Sequence, residues 1–257
     1  PEVRREIEHV FRTYYGKGKF EALKLDFWTG MFEGVNLQYR YHERTAAEWR
    51  RWFLDLLRDV LPEDGFISIA CGISAGAPFV ARWIDSCRIA RDMRDGDWDK
   101  VCLNVRMSMV PLLCHGHGMP IGDADSISIF KGMTPEERRC WADYAYVTGT
   151  LVEIGGNPVS WTRDGLEFLH DYVDLPSNGE RSWIGDDNCW TTNNLPRVFF
   201  RRLTREDGFL VSLHNWDDSS QTVSSADWSG PVQEGTRYED VRTNEKGDLA
   251  EPVNWRM

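Results

Sequence analysis

The chain has 257 residues, enough for one large domain or two smaller ones, and 41% of them are hydrophobic, as in ordinary soluble globular proteins. Its formal net charge of −11 argues against a nucleic-acid or anionic-membrane partner, because both require a basic face. No apolar run approaches the roughly 20 residues of a membrane span, and the charged, amphipathic stretch PEVRREIEHV is unlike a signal peptide. The six cysteines form no CxxC motif, so we expect reduced thiols in a cytoplasmic protein.

Helical and strand patterns alternate over the first three quarters of the chain. Residues 3–15 carry apolar side chains at helical spacing, and ALKLDF (22–27) then predicts a short strand. Further helices are predicted at 45–61, 101–113, 134–150 and 165–173, and further strands at 66–71, 87–93, 151–156 and within 114–129. Thr45 and Glu48 have the spacing of a capping box.

From about residue 196 the pattern changes. The segments RVFFRRL, GFLVSLHNW and QTVSSADW alternate with period two between turn-like sequences, which is typical of antiparallel β structure. We therefore expect two domains, 1–195 and 196–257, with a boundary near 190–197.

The ends of the predicted strands are evenly spaced. Asp92 follows Asp26 by 66 residues, Asp123 follows Asp92 by 31, and Ile154 follows Asp123 by 31. A (β/α)₈ barrel of about 250 residues has about 31 residues per unit, so these intervals indicate four or five successive units. Because the carboxyl ends of parallel barrel strands share one face, Asp26 and Asp92 should lie on the same rim, two strands apart.

Two carboxylates on a barrel rim suit glycoside hydrolysis. A retaining glycosidase needs two carboxyl groups about 5–5.5 Å apart, one ionised to attack and one protonated to assist the leaving group. Lys24 lies two residues before Asp26, where its charge would favour the ionised carboxylate, and Arg88 precedes Asp92, where it could hold a substrate hydroxyl. The alternative is that both aspartates are solvated loop residues.

Twelve tryptophans are many for a chain of this length. Sugar-binding clefts use such rings, because the C–H faces of pyranoses pack on aromatic faces. Four tryptophans lie near turn-like sequence, where a ring can be exposed: Trp28, Trp161, Trp183 and Trp190. Filling of the hydrophobic core is the alternative for each of them.

Five segments in order resemble the α-galactosidase clan of retaining glycoside hydrolases, and are most similar to its family 36 branch. These segments are LKLDF, ACGISAGAP, DSCRIARDM, IGDADS and MTPEERRCWADYAYVTGTLVEIGG. The resemblance covers about residues 5–215. Three departures bear on leaving-group and substrate preference: Ala124 replaces a usual proline, Met93 follows the second aspartate, and GGNP (155–158) replaces a Ser-Asp-Asp pattern.

The resemblance implies roles for individual residues. Asp26 corresponds to the nucleophile of a Lys-x-Asp motif on strand 4, and Asp92 to the acid/base at the end of strand 6. The sugar subsite would be lined by Lys24, Trp28, Cys71, Gly72 and Arg88. The sequence Asp123-Ala124-Asp125 resembles the Asp-Pro-Asp pattern of strand 7.

The fold expected on this basis is an α/β (β/α)₈ TIM barrel represented by strands 4 to 8, followed by a small antiparallel β-sandwich. The expected activity is cofactor-free retaining hydrolysis of an α-linked carbohydrate, with an α-galactoside favoured. Because strands 1–3 are not found, the alternative is an incomplete or carbohydrate-binding chain. A homo-oligomer or a partner chain would then complete the barrel.

Three other chemistries remain as rivals. His115, His117, Asp123 and Asp125 could ligate a metal, although the resemblance implies none. The segments GISAG and GGNP could cradle a phosphate, although neither fits GxGxxG after a strand. Cys71, Cys87 or Cys114 could act as a nucleophile, although no paired histidine is evident.

Overall fold

A computed structural model gives the arrangement of most of the chain. It describes residues 2–16, 19–27, 32, 44–70, 77–89, 91–92, 97–114, 119–128, 132–148, 151–155, 163–173, 179–203, 208–230, 236–240, 244–248 and 254–256. The chain divides into two compact units. The first contains Pro1–Arg91 and His117–Asp123, and the second contains Asp92–Gly116 and Ala124–Met257.

Two amphipathic helices and one short helix are described in the first unit. Its helices are α1 (Glu2–Tyr14), α2 (Ala46–Val60) and α3 (Ala77–Val80). The capping box predicted for α2 is confirmed: the Glu48 backbone N–H donates to Thr45 Oγ1 at 3.3 Å, and the Thr45 N–H donates to Glu48 Oε2 at 2.7 Å. These bonds satisfy N–H groups that would otherwise be unpaired, and so fix where α2 starts.

A parallel sheet forms the centre of the first unit. Its strands are β1 (Ala22–Leu25), β2 (Phe66–Ile69), β3 (Ser86–Arg88) and the first residues of β4 (Ile121–Ser128). They pair in chain order, β1 with β2, β2 with β3 and β3 with β4, each pair parallel. Consecutive neighbouring parallel strands joined by helices are the arrangement that the 31-residue spacing predicts.

The two faces of this sheet differ in polarity. Lys24, Ser68 and Ser86 are in register on neighbouring strands, and Arg88 and Asp123 are paired two residues further along. Because side chains alternate between faces along a strand, these five share one face. The opposite face carries the apolar side chains of Leu23, Leu25, Ile67, Ile69 and Cys87, which pack with α1 and α2 in one hydrophobic core.

One arginine ties the end of α2 to the sheet. Arg58 donates to the carbonyls of Trp83 at 2.7 Å and Gly65 at 2.6 Å, and to Asp85 Oδ2 at 2.7 Å. The same carboxylate oxygen accepts the Ile67 backbone N–H at 2.7 Å. These bonds lie where β2 and β3 begin, at the opposite end of the strands from Asp26.

The second unit combines helices with β structure. Its helices are α4 (Trp98–Cys114), α5 (Pro135–Val147) and α6 (Arg163–Val173). Here β4 continues from the first unit, and β5 (Leu151–Gly155) neighbours it in the five-stranded sheet. A three-stranded antiparallel sheet has the order β6 (Gly179–Ile184), β7 (Val198–Leu203), β8 (Phe209–Leu213). Two small antiparallel pairs join β9 (Thr222–Ser224) to β12 (Asn254–Arg256), and β10 (Arg237–Glu239) to β11 (Lys246–Asp248).

Most predicted elements are found within a few residues of their expected bounds. The strand β6 was not predicted, although it pairs with β7 over four residue pairs. The fold class is confirmed as an α/β protein with a parallel sheet, whereas the barrel of strands 4 to 8, the β-sandwich and the 195/196 boundary stay predictions. Among the described residues, no helix is long and apolar enough to cross a membrane.

A buried histidine lies in the aromatic core of the second unit. His214 stacks on Trp216, with ring centroids 4.9 Å apart, and meets Phe199 edge to face at 5.2 Å. Its two ring nitrogens lie 3.3 Å from Cys140 Sγ and 2.8 Å from Ser212 Oγ. Burial lowers the pKa of His214 to about 3, so the ring is neutral in the folded protein near pH 7.

This pKa predicts a loss of stability in mild acid. An unfolded histidine has a pKa near 6.5, so stability from His214 is complete above that value and is lost as pH falls towards 3. Between about pH 7.5 and about pH 5, the free energy of unfolding should fall by about 2 kcal/mol from this residue. Urea unfolding at the two pH values should show that difference in wild type and not in His214→Gln. An equal pH dependence in both proteins would contradict the assignment.

Candidate functional site

The predicted nucleophile stands directly after the first strand of the sheet. Asp26 follows the last residue of β1 and is exposed. Its Oδ1 accepts a hydrogen bond of 2.8 Å from the backbone N–H of Phe27. A carboxylate held in this way at the carboxyl end of a parallel strand has the position that the active-site groups of (β/α)₈ enzymes have.

The backbone is strained at the residue that holds Asp26. Phe27 has a φ of 51°, in the left-handed region, which is unusual for a bulky side chain. A second left-handed residue, Asp125 with a φ of 71°, lies in the β4 portion of the second unit. Such conformations cost on the order of 1–3 kcal/mol each and are concentrated at functional sites.

A buried carboxylate anchors the polar face of the sheet. Asp123 in β4 has no exposed surface, and its Oδ2 lies 3.2 Å from Arg88 Nε and 3.5 Å from Lys24 Nζ. Arg88 is itself buried, whereas 37% of the Lys24 side chain is exposed. An ionised carboxylate can be buried at acceptable cost only when it is paired in this way.

This cluster also indicates the shape of the sheet. Lys24 is on β1 and Asp123 on β4, so three strand spacings of about 4.8 Å separate them along the sheet. Side chains stand roughly perpendicular to a sheet. A contact over that span therefore requires the sheet to curve towards its polar face, as the wall of a barrel does.

The structure adds partners that the sequence did not suggest. Lys24 was predicted to act on Asp26, and Arg88 on a substrate hydroxyl, and both roles stay predictions. In addition, both cations contact Asp123. Asp123 itself was considered only as part of a resemblance and as a metal ligand. A signal for its role did exist, because two cations on an inward strand face need a buried anion between them.

The remaining predicted residues are distributed as follows. Asp92 is exposed, lies four residues after the end of β3 and begins the second unit, so its pairing with Asp26 stays a prediction. Trp28, Cys71 and Gly72 lie outside the described residues.

The four tryptophans proposed for a sugar cleft also differ. Trp28 and Trp161 fall outside the described part of the chain. Trp183 stacks on Phe200 with ring centroids 5.8 Å apart, so it belongs to the core of the second unit. Trp190 is 40% exposed at the end of a short 3₁₀ helix.

The described residues bear on only part of the rival chemistries. Burial, with the negative charge of Asp123 as a second cause, raises the pKa of the Cys87 thiol to about 11, so it is protonated at neutral pH. The described residues contain no group of three or more His, Cys, Asp or Glu side chains that could hold a metal ion. Both histidines of the HxH motif, Cys71 and all of GISAG lie outside the described residues. The GGNP segment also lies outside the described residues, except for the backbone of Gly155. The side chain of Cys114 is not described either.

Comparisons with known proteins identify the fold. No family model matches the chain, and no curated protein matches it. Among solved structures, a GH27 β-L-arabinopyranosidase from Geobacillus stearothermophilus matches 98% of the chain with a TM-score of 0.69 and 15% identity. A candidate α-galactosidase from Bacteroides fragilis NCTC 9343 matches 97% of it with a TM-score of 0.67 and 14% identity. At such low identity, these matches show a shared fold.

The two solved structures are considerably longer than this chain. The chain spans 57% of the arabinopyranosidase and 54% of the candidate α-galactosidase.

The buried cluster predicts unequal costs for removing its buried carboxylate and its partly exposed lysine. Asp123→Asn should lower the free energy of unfolding by about 3–5 kcal/mol, because it removes one partner of the buried ion pair between Arg88 and Asp123. Lys24→Met should cost about 1 kcal/mol or less, because the lysine is partly solvated.

Urea unfolding at neutral pH measures both costs. Asp64→Asn, an exposed carboxylate in the turn between α2 and β2, serves as the control and should be close to neutral. Equal losses for Asp123→Asn and Lys24→Met would rule out Asp123 as the buried anchor.

Proposed function

We propose that this chain is a retaining glycosidase that acts on α-galactosides or closely related pyranosides. The observation that carries the proposal is the position of Asp26 directly after β1 of a parallel sheet, where its carboxylate accepts the Phe27 N–H. Asp92 is the predicted second carboxylate. The shared fold with two structures named as glycosidases supports it. The resemblance of the LKLDF and DSCRIARDM segments to family 36 of the α-galactosidase clan supports it further.

In the proposed reaction the two aspartates have different roles. The Asp26 carboxylate attacks the anomeric carbon, and Asp92 donates its proton to the glycosidic oxygen as the bond to the leaving group breaks. The sugar is then bound to Asp26 as an ester. Asp92, now ionised, takes a proton from water, whose oxygen attacks the anomeric carbon, releases Asp26 and retains the starting configuration.

The buried cluster would support the attacking group from below. Lys24 and Arg88 both contact Asp123, and Lys24 is two residues from Asp26. Asp123 would therefore fix both cations in position next to the strand that ends at Asp26.

The names of the two structural neighbours suggest a sugar class. A β-L-arabinopyranoside and an α-D-galactopyranoside have the same ring stereochemistry and differ only in the hydroxymethyl group on C5. A site that binds one of these two sugars offers the same contacts to the ring of the other. We therefore propose a galactose-like pyranose as the sugar whose bond is cleaved.

A second candidate function is a chain that needs further barrel strands before it can turn over substrate. The coverage of 57% and 54% of the neighbours favours it. A second copy of the chain or a partner chain would then supply those strands. The specific activity of the purified chain should in that case rise with protein concentration, or on addition of the partner, whereas a self-sufficient enzyme gives a constant specific activity.

The proposal predicts that each aspartate is essential. Asp26→Asn and Asp92→Asn should each lower kcat for p-nitrophenyl α-galactoside by at least about a thousandfold, because an amide can neither attack nor transfer the proton. The fold should persist, since both residues are exposed. Activity assays combined with circular dichroism test this, with Asp64→Asn as the matched control.

Two further measurements identify the mechanism. A 2-fluoro glycoside should label Asp26, as found by peptide mass spectrometry, and the anomeric proton signals should show retention. Near-normal turnover in either variant, or an inverted product, would overturn the assignment of Asp26 and Asp92.

A further inference from the structure

Phe27 combines two features that stability alone does not explain. Its side chain is 81% exposed, and its φ of 51° places a bulky residue in the left-handed region. An exposed phenyl ring does not contribute the free energy of folding that its burial would provide, and the left-handed backbone adds strain. A residue that contributes so little to folding is a candidate for a role in function.

The opposite end of the same strand provides a contrast. Phe20 lies before β1, packs against Tyr15 with ring centroids 5.2 Å apart, and is more buried than Phe27. The two phenylalanines flank a four-residue strand, but only Phe27 adjoins Asp26. The end of β1 that carries the proposed nucleophile therefore also carries an exposed ring.

The backbone of Phe27 acts on Asp26 directly. Its N–H donates to Asp26 Oδ1 at 2.8 Å. This bond restricts rotation of the carboxylate. The φ of 51° at Phe27 is a rotation about the bond that follows this N–H, so it sets where the phenyl ring and the next residues lie relative to Asp26.

We propose that Phe27 is a specificity-determining residue of the Asp26 site, whose phenyl ring packs on the C–H face of a pyranose while its backbone N–H holds the Asp26 carboxylate. This rests on the proposed glycosidase function. The face of a phenyl ring is negative and the C–H groups of a pyranose are weakly positive, so the two attract as well as exclude water. A neutral sugar suits this surface better than an anionic ligand does.

Three variants at position 27 separate the ring from the backbone. Phe27→Ala removes the ring but keeps the strained backbone, Phe27→Gly also relieves the strain, and Phe27→Trp keeps an aromatic face. Phe20→Ala is the matched control, because it removes a phenylalanine at the other end of the same strand.

Removal of the Phe27 ring should weaken substrate binding. Phe27→Ala should raise KM for p-nitrophenyl α-galactoside about 3- to 10-fold with little change in kcat, and Phe27→Trp should restore KM to within about twofold. Phe20→Ala should leave KM unchanged. If KM in Phe27→Ala equals that of wild type, or Phe27→Trp restores nothing, the ring does not contact the sugar.

Substitution at the backbone level should change stability. Phe27→Gly should melt about 2–4 °C above Phe27→Ala, because glycine adopts a positive φ without strain. Both variants keep the backbone N–H that bonds Asp26, so their kcat values should agree within about twofold. A Phe27→Gly variant no more stable than Phe27→Ala would rule out backbone strain at this position.

A binding measurement separates this proposal from the proposed function. Calorimetric titration of wild type with free galactose needs no turnover, and Phe27→Ala should raise Kd about 3- to 10-fold. If wild type binds galactose but cleaves no α-glycoside, the glycosidase proposal fails and the ring proposal is judged on Kd alone. If both proteins bind galactose equally, or neither binds it, the ring proposal fails.

Discussion

The buried carboxylate of Asp123 is the constraint on which the sheet of the first unit depends. A charge with no exposed surface must be paired, and its partners come from two other strands, Arg88 on β3 and Lys24 on β1. Contact across that span requires curvature and fixes the register, since a one-residue slip would turn the lysine to the opposite face. The apolar side chains are thereby directed to the face on which the helices pack.

This arrangement explains how the end of β1 can carry an unfavourable turn. The strand is held below the turn by pairing with β2 and by the ion pair of Lys24, so a strained Phe27 does not unravel it. Asp26 lies between the rigid strand and the strained residue, and its carboxylate is hydrogen-bonded to the latter. Strain at such a point is sustained by the structure around it.

The sequence predicted most of the elements because their signals are local. The capping box of Thr45 and Glu48 and the alternation in β1 depend on a few adjacent residues, and spacing alone indicated consecutive parallel strands. The ion pair of Lys24 with Asp123 joins residues 99 positions apart, which no local pattern encodes. The strand β6 was missed because it forms by pairing with β7, and its own composition does not indicate a strand.

The charges around the end of β1 bear on the kind of ligand that the site suits. Lys24 and Arg88 both contact the buried carboxylate of Asp123. A phosphate or carboxylate ligand would have to compete with Asp123 for these two cations. A neutral sugar needs no counter-charge, and it can meet an exposed phenyl ring and a fixed carboxylate together, which are the two features that follow Leu25 in this chain.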